Sequence, residues 1–231
     1  MGKRKDQFER IDMTDTKSVF LELKRIDGFD VMGGGIPYNE LIKQNEEIIE
    51  RLSKNGEIRS IFDVGCGCGA NLYLFANNGL KIGGIDYSTA QIEIAKKIFK
   101  ENLVEELLCG EAKNIQTEKK YDATLSNSVF SYFPDEEYAK TVLDKMLLKS
   151  NISMALIDIH DVEKKNAFIE YRRKTVENYD EKYKDLHKFF YRKGFFSEWA
   201  VSNNLDAYFY DSDIEKYWNN QFVFDVYFYR R

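Results

Sequence analysis

The sequence predicts an α/β fold built on a mostly parallel β-sheet. From residue 58 onward, short β-branched apolar runs alternate with segments of helix length, and the first run ends in a glycine-rich turn. Two further β-rich runs close the sequence, near enough to each other to pair as antiparallel neighbours. Alternation of this kind places helices on both faces of a sheet whose strands run parallel.

Composition favours one globular domain, residues 1–231, that binds a small molecule. Apolar residues make up 43% of the chain, charged residues make up 32%, and the net charge is −5. An acidic balance argues against a general nucleic-acid or anionic-membrane binder, and no run approaches the roughly 20 apolar residues of a membrane span. The odd number of cysteines, Cys66, Cys68 and Cys109, is not a disulfide framework, so we expect a reducing, cytoplasmic location.

The first two segments of the chain are predicted in order. Residues 1–57 form an N-terminal helical cap, because apolar residues recur on one face of YNELIKQNEEIIERLSKNG. Residues 58–160 form the core, in which Ser88 and Gln91 have capping-box spacing at the start of the second helix. Its five strands are expected in IRSIFDVG, KIGGID, VEELLCGEA, YDATLSNS and SMALIDIHD.

The remaining chain departs from this alternation. Residues 161–194 are charged, aromatic-rich and more basic than acidic, and we interpret them as an inserted helical lid. Residues 195–231 supply a helix, FFSEWAVSNN, and then the antiparallel strand pair LDAYFYD and QFVFDVYFYRR.

The most informative stretch is the turn DVGCGCGA. A strand that runs into glycines and then a helix exposes backbone N–H groups to a bound ligand. Gly65, Gly67 and Ala70 also satisfy the dinucleotide-binding fingerprint, and Asp86 lies where that fingerprint has its ribose-binding acid. Asp63, two residues before the first glycine, instead favours a cationic ligand over a pyrophosphate. The turn alone leaves both ligand classes open.

Four motifs in order carry a resemblance to a known family. DVGCGCG, GIDYSTAQIEIA, CGEA and YDATLSNSVFSYFPD resemble those of the class I S-adenosylmethionine (SAM)-dependent methyltransferases. The resemblance covers about residues 58–160 and, in topology, the last strand pair. It implies a Rossmann-like, seven-stranded sheet of order 3-2-1-4-5-7-6 with strand 7 antiparallel. It also implies SAM as cofactor and S-adenosylhomocysteine (SAH) as product.

The resemblance further implies which residues hold the cofactor. The glycine turn would face the methionine part, with Asp63 at its ammonium group. Asp86 would bind the ribose hydroxyls and Glu111 the adenine amino group. The implied cofactor-binding residues are Asp63, Gly65, Cys66, Gly67, Gly69, Asp86, Tyr87, Ser88, Glu111, Ala112, Ser126 and Asn127.

Methyl transfer depends mainly on alignment of the nucleophile, the methyl group and the sulfur, which can lower the activation barrier by roughly 7–11 kcal/mol. A hydroxyl acceptor also needs a general base, which adds a factor of about 10²–10⁴. His160, at the end of the fifth strand, is the leading base candidate, and a substrate or structural contact is the alternative. His187 lies in the lid, where a surface histidine is the alternative. Tyr132 stands where many relatives carry His, so its catalytic role carries over only weakly.

No metal site is predicted. Asp158, His160 and Asp161 have suitable ligand atoms, but the second acid–amide pair of a metal-dependent hydroxyl methylation site is missing. Cys66 and Cys68 lack the spacing and the neighbouring His of a tetrahedral site.

The flanking segments are expected to select the acceptor. With two prolines in all, the chain has no Asn/Asp-Pro-Pro-aromatic motif, which disfavours methylation of nucleic-acid bases. GFDVMGGGIPYNE, FYRKGFF and YWNNQFVF are similar to segments of methyltransferases found with bacterial capsule and surface-polysaccharide genes. That similarity implies O-methylation of a sugar or phosphoramidate-type precursor, which can be anionic or nucleotide-linked. The expected pocket residues are Tyr38, Tyr191, Arg192 and Trp218.

Three alternatives remain open from the sequence. They are methylation at N or O of another small metabolite, an NAD(P)-dependent oxidoreductase, and a cofactor-binding protein without catalysis.

Overall fold

Seven strands form a single sheet in the computed structural model, which describes residues 15–28, 35–99, 103–186 and 188–231. The strand order is β3-β2-β1-β4-β5-β7-β6. The first five strands pair in parallel, and β7 runs antiparallel to both β5 and β6. The predicted fold class and strand order are therefore confirmed. The strands are β1 (Ser60–Val64), β2 (Lys81–Asp86), β3 (Val104–Cys109), β4 (Tyr121–Asn127), β5 (Ser150–His160), β6 (Leu205–Asp211) and β7 (Val223–Arg230).

Three helices in the described residues begin at a side chain that caps their N-terminus, at Asp15, Ser88 and Asp135. The Ser88 hydroxyl accepts from the backbone N–H of Gln91, and Asp135 accepts from that of Tyr138 at 2.8 Å. None of these helices has the length and apolar character needed to cross a membrane. The helices are α1 (Thr16–Ile26), α2 (Tyr38–Leu52), α3 (Ala70–Asn77), α4 (Thr89–Ile98), α5 (Glu136–Lys149), α6 (Lys165–Thr175), α7 (Tyr179–Lys182) and α8 (Lys193–Ser202).

Helices cover both faces of the sheet. On one face, α2, α3 and α4 bury side chains such as Leu52, Phe75 and Ile92 against the strands. On the other face, α5 and α8 bury Met146 and Phe196. Helix α1 packs on α3 and the start of α2. Because both faces are covered, the central strands are apolar on both sides, as their sequences predict.

The segment from 161 to 194 is helical only in its first part. Helices α6 and α7 follow β5, but residues 188–192 are not helical. The Tyr191 N–H donates to the His160 carbonyl at 2.8 Å, and the Val162 N–H donates to the Tyr191 carbonyl at 3.0 Å. The helical prediction is wrong there because the backbone bonds to the end of β5. The division of the chain into cap, core and lid stays a prediction.

One lysine is completely buried beneath the sheet. Lys149, at the end of α5, is 0% exposed and forms an ion pair with Glu106 of β3. Its ammonium donates to the carbonyls of Gln116 at 2.8 Å and Lys119 at 3.2 Å. It also lies 4.3 Å from the centre of the Phe62 ring. This ammonium therefore joins α5, β3 and the loop before β4 at a point without water.

Replacement of this lysine by an apolar residue of similar length should destabilise the fold. In Lys149→Met, the Glu106 carboxylate and two carbonyls lose their donor, a type of loss that costs about 3–5 kcal/mol. We expect the free energy of unfolding in urea to fall by about 3 kcal/mol. The matched control is Lys140→Met at an exposed site on the same helix, which should change it by less than roughly 0.5 kcal/mol. Equal effects of the two substitutions would contradict this account.

Candidate functional site

The strand ends open into one large cavity. Its volume is roughly 1050 Å³. Its wall combines the turns after β1, β2, β3 and β4 and the last residues of β5 with residues of the segments before and after the core. Small-molecule sites usually measure about 300–1,000 Å³, so this cavity has room for more than one molecule. Open α/β sheets bind ligands at this edge.

The turn after β1 leaves no space for side chains at its glycines. Gly65 and Gly67 both adopt left-handed backbone conformations, with φ of 81° and 57°. A Cβ on Gly65 would lie 2.3 Å from Val129 Cγ2, and one on Gly67 would lie 2.5 Å from Asp27 Oδ1. Backbone is therefore what this part of the wall presents to a ligand.

Asp86, the last residue of β2, fixes the position of this turn. Its Oδ2 accepts from the Gly67 N–H at 3.0 Å, and its Oδ1 accepts from the Ser88 N–H at 2.8 Å. Each carboxylate oxygen keeps a further lone pair. Since Asp86 also lines the cavity, the carboxylate can accept from a ligand without releasing the turn.

Asp63 is a buried carboxylate at the end of β1. It is 1% exposed, and its Oδ1 has no hydrogen-bond partner among the described residues. Burial raises the pKa of this carboxyl to about 7, with Lys24 opposing the rise and the charge of Asp86 adding to it. A carboxylate in this position is stabilised by any positive group that comes close to it.

Two strained residues face each other where β4 and β5 end. Ser128 and Asp158 have φ of 61° and 62°, a left-handed conformation that is uncommon for residues other than glycine. The Ser128 hydroxyl donates to Asp158 Oδ2 at 2.6 Å. Tyr217 Oη and Asn219 Nδ2 donate to Asp158 Oδ1 at 2.9 and 3.1 Å. Strain that the surroundings hold in place in this way is typical of functional sites.

His160 is neutral and a weak base. Burial lowers the pKa of its imidazole to about 2, and the Lys188 ammonium adds to the decrease. Nε2 lies 3.4 Å from Lys188 Nζ and 3.5 Å from Asn219 Nδ2. Because both neighbours are donors, acceptance at Nε2 would leave the ring proton on Nδ1, which has no hydrogen-bond partner among the described residues. These contacts favour the alternative of a structural or substrate contact, and the general-base role of His160 stays a prediction.

The structure brings most of the expected cofactor residues to the cavity. Tyr87 is 81% exposed there, and Glu111 pairs with Lys113 at 3.1 Å. Asp63, Gly69 and Ser126 lie behind the wall; the Ser126 hydroxyl donates to the Val64 carbonyl. The expected cofactor residues on the wall are Gly65, Cys66, Gly67, Asp86, Tyr87, Ser88, Glu111, Ala112 and Asn127.

The expected substrate and catalytic residues divide differently. Tyr132, His160 and Trp218 line the cavity, whereas His187 lies outside the described residues. Trp218 stacks parallel to Tyr171, with ring centres 5.6 Å apart.

Three expected pocket residues do not reach the cavity wall. Tyr191 is 0% exposed and donates to the Phe130 carbonyl at 2.9 Å, because its ring fills the core under α8. Arg192 points to Glu136 on the surface, at 4.0 Å. Tyr38, at the start of α2, packs its ring on Phe20. These three residues therefore do not line the cavity, and the substrate contacts expected of them stay a prediction.

Four residues that line this part of the cavity were missing from the expected site. Asp158, Lys188, Tyr217 and Asn219 all lie on the wall. Asp158 appeared only as a rejected metal ligand, and no pattern distinguishes Lys188 from the other lysines of its segment. The clearest signal was YWNNQ, in which the residues on both sides of Trp218 are polar. Among the residues that the structure describes, no group of three His, Cys, Asp or Glu side chains could hold a metal ion.

Comparison of sequences connects the core with methyltransferases. Residues 61–147 match the profile of a family described as "Methyltransferase domain". Over 91 residues the chain is 34% identical to the malonyl-acyl-carrier-protein O-methyltransferase of Priestia megaterium, a match that covers 38% of this chain and 33% of that protein. The chain thus spans about a third of the length of the curated relatives it matches.

Solved structures share the fold over most of the chain. The plantazolicin methyltransferase BpumL in complex with SAH has a TM-score of 0.64 at 17% identity, with full coverage of both chains. SAM-bound CalS10, an amino pentose methyltransferase from Micromonospora echinaspora, has a TM-score of 0.62 at 10% identity and covers 84% of this chain and 94% of that chain. At these identities the likeness shows the fold alone. Together with the family match, it confirms the resemblance to class I methyltransferases.

Removal of the buried negative charge at Asp63 should stabilise the ligand-free protein at alkaline pH. A raised pKa means that the wild type loses stability as the pH rises from about 4, where the unfolded carboxyl ionises, to about 7. We therefore expect Asp63→Asn to raise Tm by at least about 3 °C at pH 8 and to change it little at pH 4.5. Thermal unfolding followed by circular dichroism measures both values.

The exposed Asp185→Asn serves as the control and should leave Tm unchanged at both pH values. A lower Tm for Asp63→Asn at pH 8 than for the wild type would show that Asp63 is already paired in the ligand-free protein.

Proposed function

We propose that this chain, whose residues 61–147 form a methyltransferase domain within a class I fold, is a SAM-dependent methyltransferase that acts on a small polar acceptor. The observation that carries the proposal is the combination of a buried carboxylate, Asp63, whose Oδ1 has no hydrogen-bond partner among the described residues, with a turn whose glycines present only backbone to the cavity. A ligand with both a positive group and a polar nucleoside part fits this combination.

The residues present fit SAM in detail. The backbone of Gly65 and Gly67 would face its methionine part, with Asp63 behind them to balance the ammonium charge. Asp86 has free lone pairs for the ribose hydroxyls, and Glu111 with Ala112 would lie at the adenine. When bound, SAM supplies a methyl group on a positively charged sulfur.

The charges around the turn favour SAM over a dinucleotide. Asp27 Oδ1 accepts from the Cys68 N–H at 2.9 Å, directly beside Gly67. With Asp63 and Asp86, three carboxyl groups therefore lie around the turn, against one ammonium group in the described part of the chain, that of Lys24. A pyrophosphate there would be repelled by the ionised acids, whereas a cation would be attracted.

Positioning rather than base catalysis is the role we assign to the chain's residues. His160 is neutral with a pKa of about 2, so it removes protons poorly. The Asp158 network and the rings of Tyr132 and Trp218 instead shape the space beside the sulfur end of the cofactor site. Alignment of this kind can supply much of the rate enhancement of a displacement reaction.

For the acceptor, we propose a sugar or a phosphoramidate-type precursor of a bacterial capsular or surface polysaccharide, methylated at oxygen in the cytoplasm. CalS10, a structural neighbour, is named as an amino pentose methyltransferase, and the matched curated relatives are named as O-methyltransferases. Room beside the cofactor site supports a small acceptor. The three free cysteines are in keeping with a reducing compartment.

Titration calorimetry with SAH tests the cofactor assignment. We expect the wild type to bind SAH. Asp86→Ala, which removes the carboxylate that would accept from the ribose hydroxyls, should weaken SAH binding at least about a hundredfold. A lost hydrogen bond to a charged group costs about 1.5–3 kcal/mol, and the turn after β1 also loses its bond to Asp86. Asp86→Asn keeps one acceptor oxygen and should lose less. The exposed Asp185→Ala is the matched control and should bind like the wild type.

The competing assignments give different results in the same experiment. Binding of NAD(P) without binding of SAH would refute the methyltransferase proposal in favour of an oxidoreductase. Binding of SAH without methyl transfer from SAM to any sugar or phosphoramidate acceptor would favour a protein that has lost catalysis.

A further inference from the structure

A lysine ammonium lies in the cavity beside the end of β5, where no carboxylate of the described residues is bonded to it. Lys188 lines the cavity, and its Nζ lies 3.4 Å from Nε2 of the neutral His160. It also lies 5.5 Å from the centre of the Tyr132 ring and 5.4 Å from that of Phe168. No carboxylate in the described part of the chain forms an ion pair with it.

The nearest acid does not neutralise this ammonium. Asp158 attracts Lys188 through space, but its two oxygens already accept from Ser128, Tyr217 and Asn219. Burial also raises the pKa of the Asp158 carboxyl. The Lys188 ammonium therefore faces the cavity without an ion pair to a carboxylate of the described residues.

A partly buried ammonium in this environment raises the free energy of the folded protein unless a ligand supplies the opposite charge. The rings of Tyr132 and Phe168 compensate a part of the cost through cation–π contacts. Because Lys188 is partly buried, an ion pair formed there is less screened by water than one on the surface.

We propose that Lys188 is the specificity-determining residue for the acceptor and that it binds an oxyanion, a carboxylate or phosphoryl group, carried by that molecule. This inference rests on the proposed function, because the acceptor is defined by the cofactor beside it. It narrows the acceptor class to molecules with a negatively charged oxygen group next to an apolar or ring-shaped part, which the aromatic wall contacts.

Ligand-observed NMR titration of the SAH-saturated protein tests the inference with two matched pairs of probes. Succinate and succinamide differ in the carboxylates, and glycerol 3-phosphate and glycerol differ in the phosphoryl group. We expect at least one anionic probe to bind at least about tenfold more tightly than its neutral partner. Which anionic probe binds more tightly distinguishes carboxylate from phosphoryl recognition.

Variants assign the effect to this side chain. Lys188→Gln should weaken binding of the anionic probe at least about tenfold, whereas Lys188→Arg, which keeps the charge, should retain most of it. Lys165→Gln is the matched control, because Lys165 also lies over a ring of the same segment, at 5.6 Å from the Phe190 centre, but does not line the cavity. It should bind the probe like the wild type.

The pH dependence gives a second readout. Burial lowers the pKa of Lys188 to about 8 despite the opposing charge of Asp158, so binding of the anionic probe should decline as the pH rises through about 8. His160 and Tyr132 do not change charge in this range, because burial lowers the pKa of the first and raises that of the second. The Arg172 guanidinium adds to the lowering of the Lys188 pKa. In Lys188→Gln this decline should be lost.

The outcomes separate this inference from the proposed function. Equal binding of charged and neutral probes, binding of none of the four, or unchanged binding in Lys188→Gln would overturn the role of Lys188. If SAH binding persists in these experiments, the methyltransferase proposal stands. If the wild type fails to bind SAH, the proposed function itself fails.

Discussion

The end of β2 holds the turn after β1 in place, and the rest of the site depends on this arrangement. The N–H groups of Gly65 and Cys66 donate to the Ile85 carbonyl at 2.8 and 3.1 Å, and that of Gly67 donates to Asp86. A glycine-rich segment can adopt many backbone conformations, and these bonds hold it in the left-handed one. Because β1 and β2 are neighbours in the middle of the sheet, this turn, the acid after β2 and the ends of β4 and β5 surround one space.

The position of the expected cofactor residues at one cavity could be predicted from the sequence because its signals are local. Each acid or glycine follows directly after a β-branched run, and the carboxyl ends of parallel strands meet at one edge. From the sequence alone, that rule places Asp86, Glu111 and Asn127 on one wall of the cavity. The strand order did not follow from the pattern of strands and helices; it came from the resemblance. Burial of Asp63 and Ser126 behind the wall depends on packing, which the motifs do not encode.

The part of the cavity that we propose for the acceptor could not be predicted in the same way, because contacts between residues distant in sequence determine which side chains line it. Tyr191 and Lys188 are three residues apart in a segment without regular structure, yet one fills the core and the other lines the cavity. The hydrogen bonds between Tyr191 and the end of β5 determine which of the two side chains is buried. No periodic pattern in the sequence predicts these bonds. Tyr217 and Asn219 likewise reach Asp158 from the connection between β6 and β7. Polar residues at the two sides of Trp218 were the remaining signal.

A crystal structure of the protein grown with SAH tests the central claim most directly. The account predicts density for the nucleoside along the cavity wall, with the ribose hydroxyls on Asp86, the amino group near Asp63 and the sulfur toward the strained Ser128–Asp158 pair. Density for the ribose at any other acid, or an amino group remote from Asp63, would contradict it.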